Sequence, residues 1–312
     1  MRIFTAFFAL SLLLPGGAMT RVQAAEEPTA DWQKSLTPLS AGKFAEMPEG
    51  EASYRFGWSG ITAAEAVLKF SHPAATPGVS RLDAEVQTVG AARALWRLDA
   101  KALFLADTAS TKPLRVRQLE QYRGRTVASA LEFAPDHVFH SKGRLAHASD
   151  RPAPEFFSGA PADREAMRAF TGQKARRFKA AEVLDMQSAL LFVRSQPLAP
   201  GDVLRFLVFQ DNAAYLAVVR VAGREKITVP AGTYPAIKLD LSLKWVDDKL
   251  TLRPHANFKR ASGWISDDKN RLLLKVESDV FIGSIWGELT KFTKRTGKPS
   301  GQVPGGFVSC GG

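Results

Sequence analysis

Cysteine is all but missing from this chain. Among 312 residues there is one, Cys310, in a glycine-rich tail. No intramolecular disulfide can form, so a packed core has to hold the fold. Histidine is scarce too, with five. The one cluster is His137, His140 and His147, unaccompanied by paired cysteines, an HExxH run or a second acidic element. On a strand His137 and His140 point to opposite faces, so no metal site is expected. No serine sits in a G-x-S-x-G elbow, and nucleophilic catalysis has no agent visible in the sequence. No glycine-rich loop has phosphate-binding spacing; Gly57, Gly60 and Gly283 read as strand-end glycines. No cofactor is implied. The neighbouring carboxylates Asp247-Asp248 and Asp267-Asp268 fall between strands, where aspartate is ordinary turn chemistry.

Long apolar runs are missing as well, apart from one. Met1-Arg2, the run Ile3 to Leu14, the break Pro15-Gly16-Gly17 and the small-x-small site Val22-Gln23-Ala24 together read as a secretory signal peptide over residues 1–24. It is too short to span a membrane, and no later run reaches spanning length. The mature protein is therefore expected in the periplasm of a Gram-negative bacterium. The net charge is +11, and removal of Arg2 and Arg21 with residues 1–24 leaves +9. Outside the cytoplasm such an excess meets anionic envelope surfaces rather than nucleic acid, although most of it reads as solvated surface.

What is present is alternation. Ala52, Tyr54, Phe56 and Trp58 share one face and Ala64, Ala66, Leu68 and Phe70 another, with Ser59-Gly60 between them: a hairpin. Ile237, Leu239, Leu241, Leu243 and Trp245 alternate with polar residues. So do Leu272, Leu274, Val276, Val280 and Ile282. Asp185 reads as the N-cap of a helix that keeps Met186, Ala189, Leu190 and Val193 on one side and stops before Pro197. Gly90 to Trp96 reads as a short helical turn. The sum is about ten to twelve short strands and one helix. The fold class is mainly β, an antiparallel half-open barrel or curled sheet wrapped around one central helix. The domain is expected over 51–292, with a linker over 25–50 and a flexible tail over 293–312. A mobile basic connection is expected over 142–179.

Two surfaces attract function. Tyr54, Phe56, Trp58, Leu68 and Phe70, with Leu239 and Leu241, would line a hollow for an apolar or amphipathic envelope ligand if the helix leaves the sheet unfilled. Core filling is the ordinary use of each. The basic stretch Arg164 to Lys179, with Arg164, Arg168, Arg176 and Arg177, would instead contact an anionic partner or surface. A hydrolase on envelope glycan or lipid ranks below both.

Several stretches carry a family resemblance: Tyr54-Arg55-Phe56-Gly57-Trp58-Ser59-Gly60, Asp185-Met186-Gln187-Ser188-Ala189-Leu190 with Phe192-Val193-Arg194, Val229-Pro230-Ala231-Gly232-Thr233, and Trp264-Ile265-Ser266-Asp267-Asp268 through Glu288-Leu289. The chain resembles the exported bacterial family catalogued as domain of unknown function 3108, over about Glu51 to Phe292. The resemblance implies a shape like the LolA/LolB lipoprotein carriers and carries no site with it.

Overall fold

The computed structural model describes residues 31–44, 46–122, 124–145, 154–158, 170–254, 261–279 and 283–295. The expected signal peptide, Arg164, Arg168, His147, Val280, Ile282 and Cys310 lie outside them. A 3-10 helix (Trp32–Ser35) comes first. Then follow β1 (Gly50–Trp58), β2 (Ile61–Ser71), β3 (Val79–Thr88), α1 (Gly90–Leu95), β4 (Leu98–Asp107), β5 (Pro113–Tyr122), β6 (Arg125–Ala134) and β7 (His137–Leu145). A second 3-10 turn (Pro154–Phe157) precedes β8 (Phe170–Lys179), β9 (Val183–Leu184), α2 (Met186–Ser195), β10 (Val203–Gln210), β11 (Ala213–Val229) and β12 (Gly232–Val246). The last strands are β13 (Leu252–Pro254), β14 (Ala261–Ser266), β15 (Leu273–Asp279) and β16 (Ser284–Lys294).

Local chemistry accounts for the joints. The β10–β11 hairpin turns on Asp211 and Asn212, both at positive φ (48° and 78°), the backbone that a two-residue type I′ turn needs and that Asp and Asn tolerate. The Asp185 carboxylate accepts from the Ser188 N–H at 2.8 Å and caps α2. Asp268 accepts from the Asn270 and Arg271 N–H groups (2.9 and 3.1 Å) between β14 and β15. Asp247 does the same for Lys249 and Thr251 (2.9 and 2.8 Å) after β12.

The strands form one sheet, ordered β8-β7-β6-β5-β4-β3-β2-β1-β16-β15-β14-β12-β11-β10-β9, with β13 on the side of β12. From β1 to β8 consecutive strands pair antiparallel, and β1 pairs with β16. The short β9 pairs parallel with β10. The ladder does not close, so β8 and β9 are its two edges.

β10 shows how the sheet ends. Its residues alternate between faces, and both faces are buried. Phe206 meets Phe192 of α2, ring centroids 5.5 Å apart. On the other face Phe209 meets Phe178 of β8 at 5.6 Å. The sheet therefore rolls past its own edge as a spiral. Inside it lies α2, with Leu191 in the cluster that holds Phe70, Leu82 and Phe104, and Ala189, Phe192 and Val193 in the cluster that holds Leu204, Val219 and Leu239.

Three expected boundaries move. Residues 31–49, read as linker, are packed down: Trp32, Leu39 and Met47 are buried, and Thr37 N–H donates to the Arg205 carbonyl at 2.8 Å, covering the free side of β10. The connection read over 142–179 is strand at both ends, because β7 reaches Leu145 and β8 begins at Phe170. The strand β16 continues to Lys294, past the expected start of the tail. Gly287 sits within the β16 ladder with the Phe56 ring over it; a Cβ there would be 2.3 Å from that ring.

Candidate functional site

The residues expected around a hollow fall on two sides of α2. Tyr54 is buried, its hydroxyl donating to the Leu273 carbonyl at 2.8 Å, and burial pushes its pKa up. Phe70 is buried in the same cluster, with Phe56 and Leu68 half-buried against it. Leu239 is buried in the other cluster, with Leu241 against it. Trp58 stands 40% exposed at the tip of the first hairpin. The space between the two groups is taken by α2. Between α2 and β2–β4 remains a cavity of about 10 Å³, lined chiefly by Met47, Phe70, Leu82, Phe104 and Leu191. That is room for about one water, against several hundred Å³ for an ordinary small-molecule site.

Of the basic set, Arg176 and Arg177 sit on β8, an edge strand. Lys174 and Lys179 accompany them, and all but Arg176 are exposed. Lys142 on β7 stands directly opposite Lys174, and His140 opposite Arg176. Arg176 donates to the Asn212 carbonyl and to the Asp248 carboxylate, and Lys142 lies 3.4 Å from Asp211. So polar side chains, not a backbone ladder, fasten the β7–β8 edge to the β10–β11 and β12–β13 turns.

Under that seam lies a polar group that spacing did not reveal. Ser129 on β6 and His140 on β7 are 6% and 3% exposed. Ser129 Oγ is 2.7 Å from His140 Nε2, and His140 Nδ1 is 3.2 Å from Asn212 Oδ1. Gln118 on β5 is the direct cross-strand partner of Ser129; it is 4% exposed, and its Nε2 has no hydrogen-bond partner. Strand parity places Gln118, Ser129 and His140 on one face, which is legible once the ladder is known; Asn212 arrives only through the roll. Among the described residues no group of three or more His, Cys, Asp or Glu could hold a metal ion. No described helix is long and apolar enough to cross a membrane, which does not speak to strands.

A family model described as a protein of unknown function, DUF3108, matches residues 53–290. The chain belongs to this family. Within the DUF3108 fold the stretches singled out in the sequence hold the spiral together. Gly57 admits the Trp286 ring, to which a Cβ would come within 2.3 Å. Asp185 caps α2. Arg194, fully buried, donates to the carbonyls of Phe44 (3.0 Å), Glu46 (3.1 Å) and Asn270 (2.6 Å), and burial lowers its pKa to about 10. No curated protein matches the chain. Among solved structures, a β-barrel-like DUF1849 protein from Brucella abortus aligns at TM-score 0.48 and 10% identity, covering 80% of this chain and 99% of that one. An exported protein with a YmcC-like fold from Bacteroides fragilis aligns at TM-score 0.30 and 10% identity, over 81% and 100%. The hypothetical lipoprotein YmcC from Escherichia coli K12 aligns at 0.27 and 9%, over 87% and 98%. Likenesses this remote bear on no residue of the DUF3108 chain.

Proposed function

We propose that this DUF3108 protein is a binding module of the cell envelope, exported to the periplasm by its N-terminal segment, that docks an anionic surface through its β7–β8 edge. One observation carries the reading: Lys142 and Lys174 stand directly opposite each other on that edge. Facing like charges cost about 0.2–1 kcal/mol; Asp211, 3.4 Å from Lys142, offsets part of that, and an anion at the exposed Lys174 would relieve the rest. Exposed Arg144 shares their face, and exposed Arg177 and Lys179 stand on the other face of the same edge. The competing explanation is that cations only keep an open edge from pairing with other chains. Co-sedimentation with vesicles of phosphatidylglycerol and phosphatidylcholine separates the two. Each cation near such a surface contributes about 1 kcal/mol. Removing two, by Lys174→Glu with Arg177→Glu, should weaken binding about 30-fold or more and leave the melting temperature in place. Equal sedimentation of wild type and variant would sink the reading.

A second reading has the cavity beneath α2 behind it. Its lining joins apolar Phe70, Leu82, Phe104 and Leu191 to polar His72, Arg81 and Gln187 and includes Met47, a flexible side chain able to move aside, so an amphipathic ligand would enter between α2 and β2–β4. A shape like that of the LolA/LolB carriers would belong to this reading. Native mass spectrometry tests it: a chain that carries no lipid, and takes up no fatty-acid probe, is no carrier.

A further inference from the structure

We infer that Ser129, His140 and Asn212 form a nucleophile relay at the seam, able to cleave carboxylic esters. The hydrogen-bond directions follow from the acceptors. Asn212 Oδ1 can only accept, so the proton of the neutral imidazole sits on Nδ1. Nε2 is then left as acceptor for the Ser129 hydroxyl, 2.7 Å away. That is the protonation pattern of a serine activated by a general base, with a third group holding the tautomer. Asn212 is itself held. It lies in a two-residue turn at positive φ, Arg176 binds its carbonyl, and Lys142 holds the neighbouring Asp211.

A histidine serving only to fill the roll would leave its polar neighbours paired. Gln118 is the counter-observation. Its amide nitrogen is buried without a partner, a state that costs about 1–3 kcal/mol. Gln118 and Ser129 are direct cross-strand partners, which places their Cβ atoms about 5 Å apart on one face. A donor there suits the oxyanion that forms when Ser129 attacks a carbonyl. Lys142 faces Ser129 across β6–β7, and Arg176 faces His140 across β7–β8. Asp211 and Asp248 meet their charges. In the step itself, Ser129 Oγ bonds to the acyl carbon and its proton passes to His140 Nε2. The ester C–O bond breaks, and the leaving alkoxide takes that proton. A water, deprotonated by the same nitrogen, then cleaves the acyl-serine, releasing the acid and restoring the hydroxyl.

The test is covalent labelling of the full folded chain by a fluorophosphonate, with the adduct placed by peptide mass spectrometry. The expected result is one adduct on Ser129, absent in Ser129→Ala. Asn212→Gly, which keeps the positive φ and removes only the side-chain oxygen, should slow labelling about 100-fold by freeing the tautomer, with circular dichroism unchanged. No adduct on Ser129 overturns the inference. So do equal labelling rates in wild type and Asn212→Gly, which also decide the matter if Ser129→Ala fails to fold. These readouts are independent of vesicle binding, so either proposal can fail alone.

Discussion

Asp185 is fully buried and caps α2 through Ser188 N–H. Burial pushes its carboxyl up to about 7, against the hydrogen bonds from Ser188 and Gln187 that pull it down. The native state thus keeps a proton that the unfolded chain releases near pH 3.8. Stability from this group is complete below that value, falls as pH rises, and is gone above about 7. The change is on the order of 4 kcal/mol. Asp185→Asn keeps an oxygen for the Ser188 N–H and removes the titration. Thermal melts at pH 4, 6 and 8 should show the variant gaining on wild type as pH rises. Parallel curves would mean that Asp185 does not carry this proton.

At the scale of the strand pair, β5 and β6 hold a buried charge. Arg117 is 1% exposed and donates to the Val116 and Leu131 carbonyls at 3.1 and 3.3 Å, besides pairing with Glu132. Burial lowers its pKa while Glu132 raises it. Removing the carboxylate takes a charge-assisted hydrogen bond from Arg117 and leaves its carbonyl partners, a loss of about 1.5–3 kcal/mol. Glu132→Gln should lower the urea midpoint by that energy with an unchanged slope; a loss below about 1 kcal/mol would contradict it. The strands also explain what could be read in advance. β1 and β2 announce themselves because one face is buried and the other wet. An edge strand that is wet on both sides, as β8 is from Thr171 to Ala175, has no such alternation, so Arg176 and Arg177 read as loop.

For the molecule as a whole, period-two patterning identified a curled sheet around one helix, and the Asp185 cap located that helix. Whether α2 fills the curl was not legible. A strand facing a helix and a strand facing a hollow carry the same alternation, so Tyr54 and Leu239 fit either case. The seam was hidden for another reason. Ser129 and Asn212 are far apart in the chain, and only the overlap of β8 on β10 brings β6, β7 and the β10–β11 turn together. No spacing rule encodes that overlap.

The pairing of β1 with β16 has a bearing on biogenesis. The first strand to leave the ribosome waits for the last, because Tyr54 sits opposite Leu289, while the other ladders in the β1–β8 half form between sequence neighbours. Until translation ends, Ala52 to Trp58 is a sticky, unsatisfied ribbon. A chain translocated unfolded and released whole would meet both halves of its central pair at once, whereas a truncated product lacking its final strand would be born with that ribbon bare and prone to aggregate.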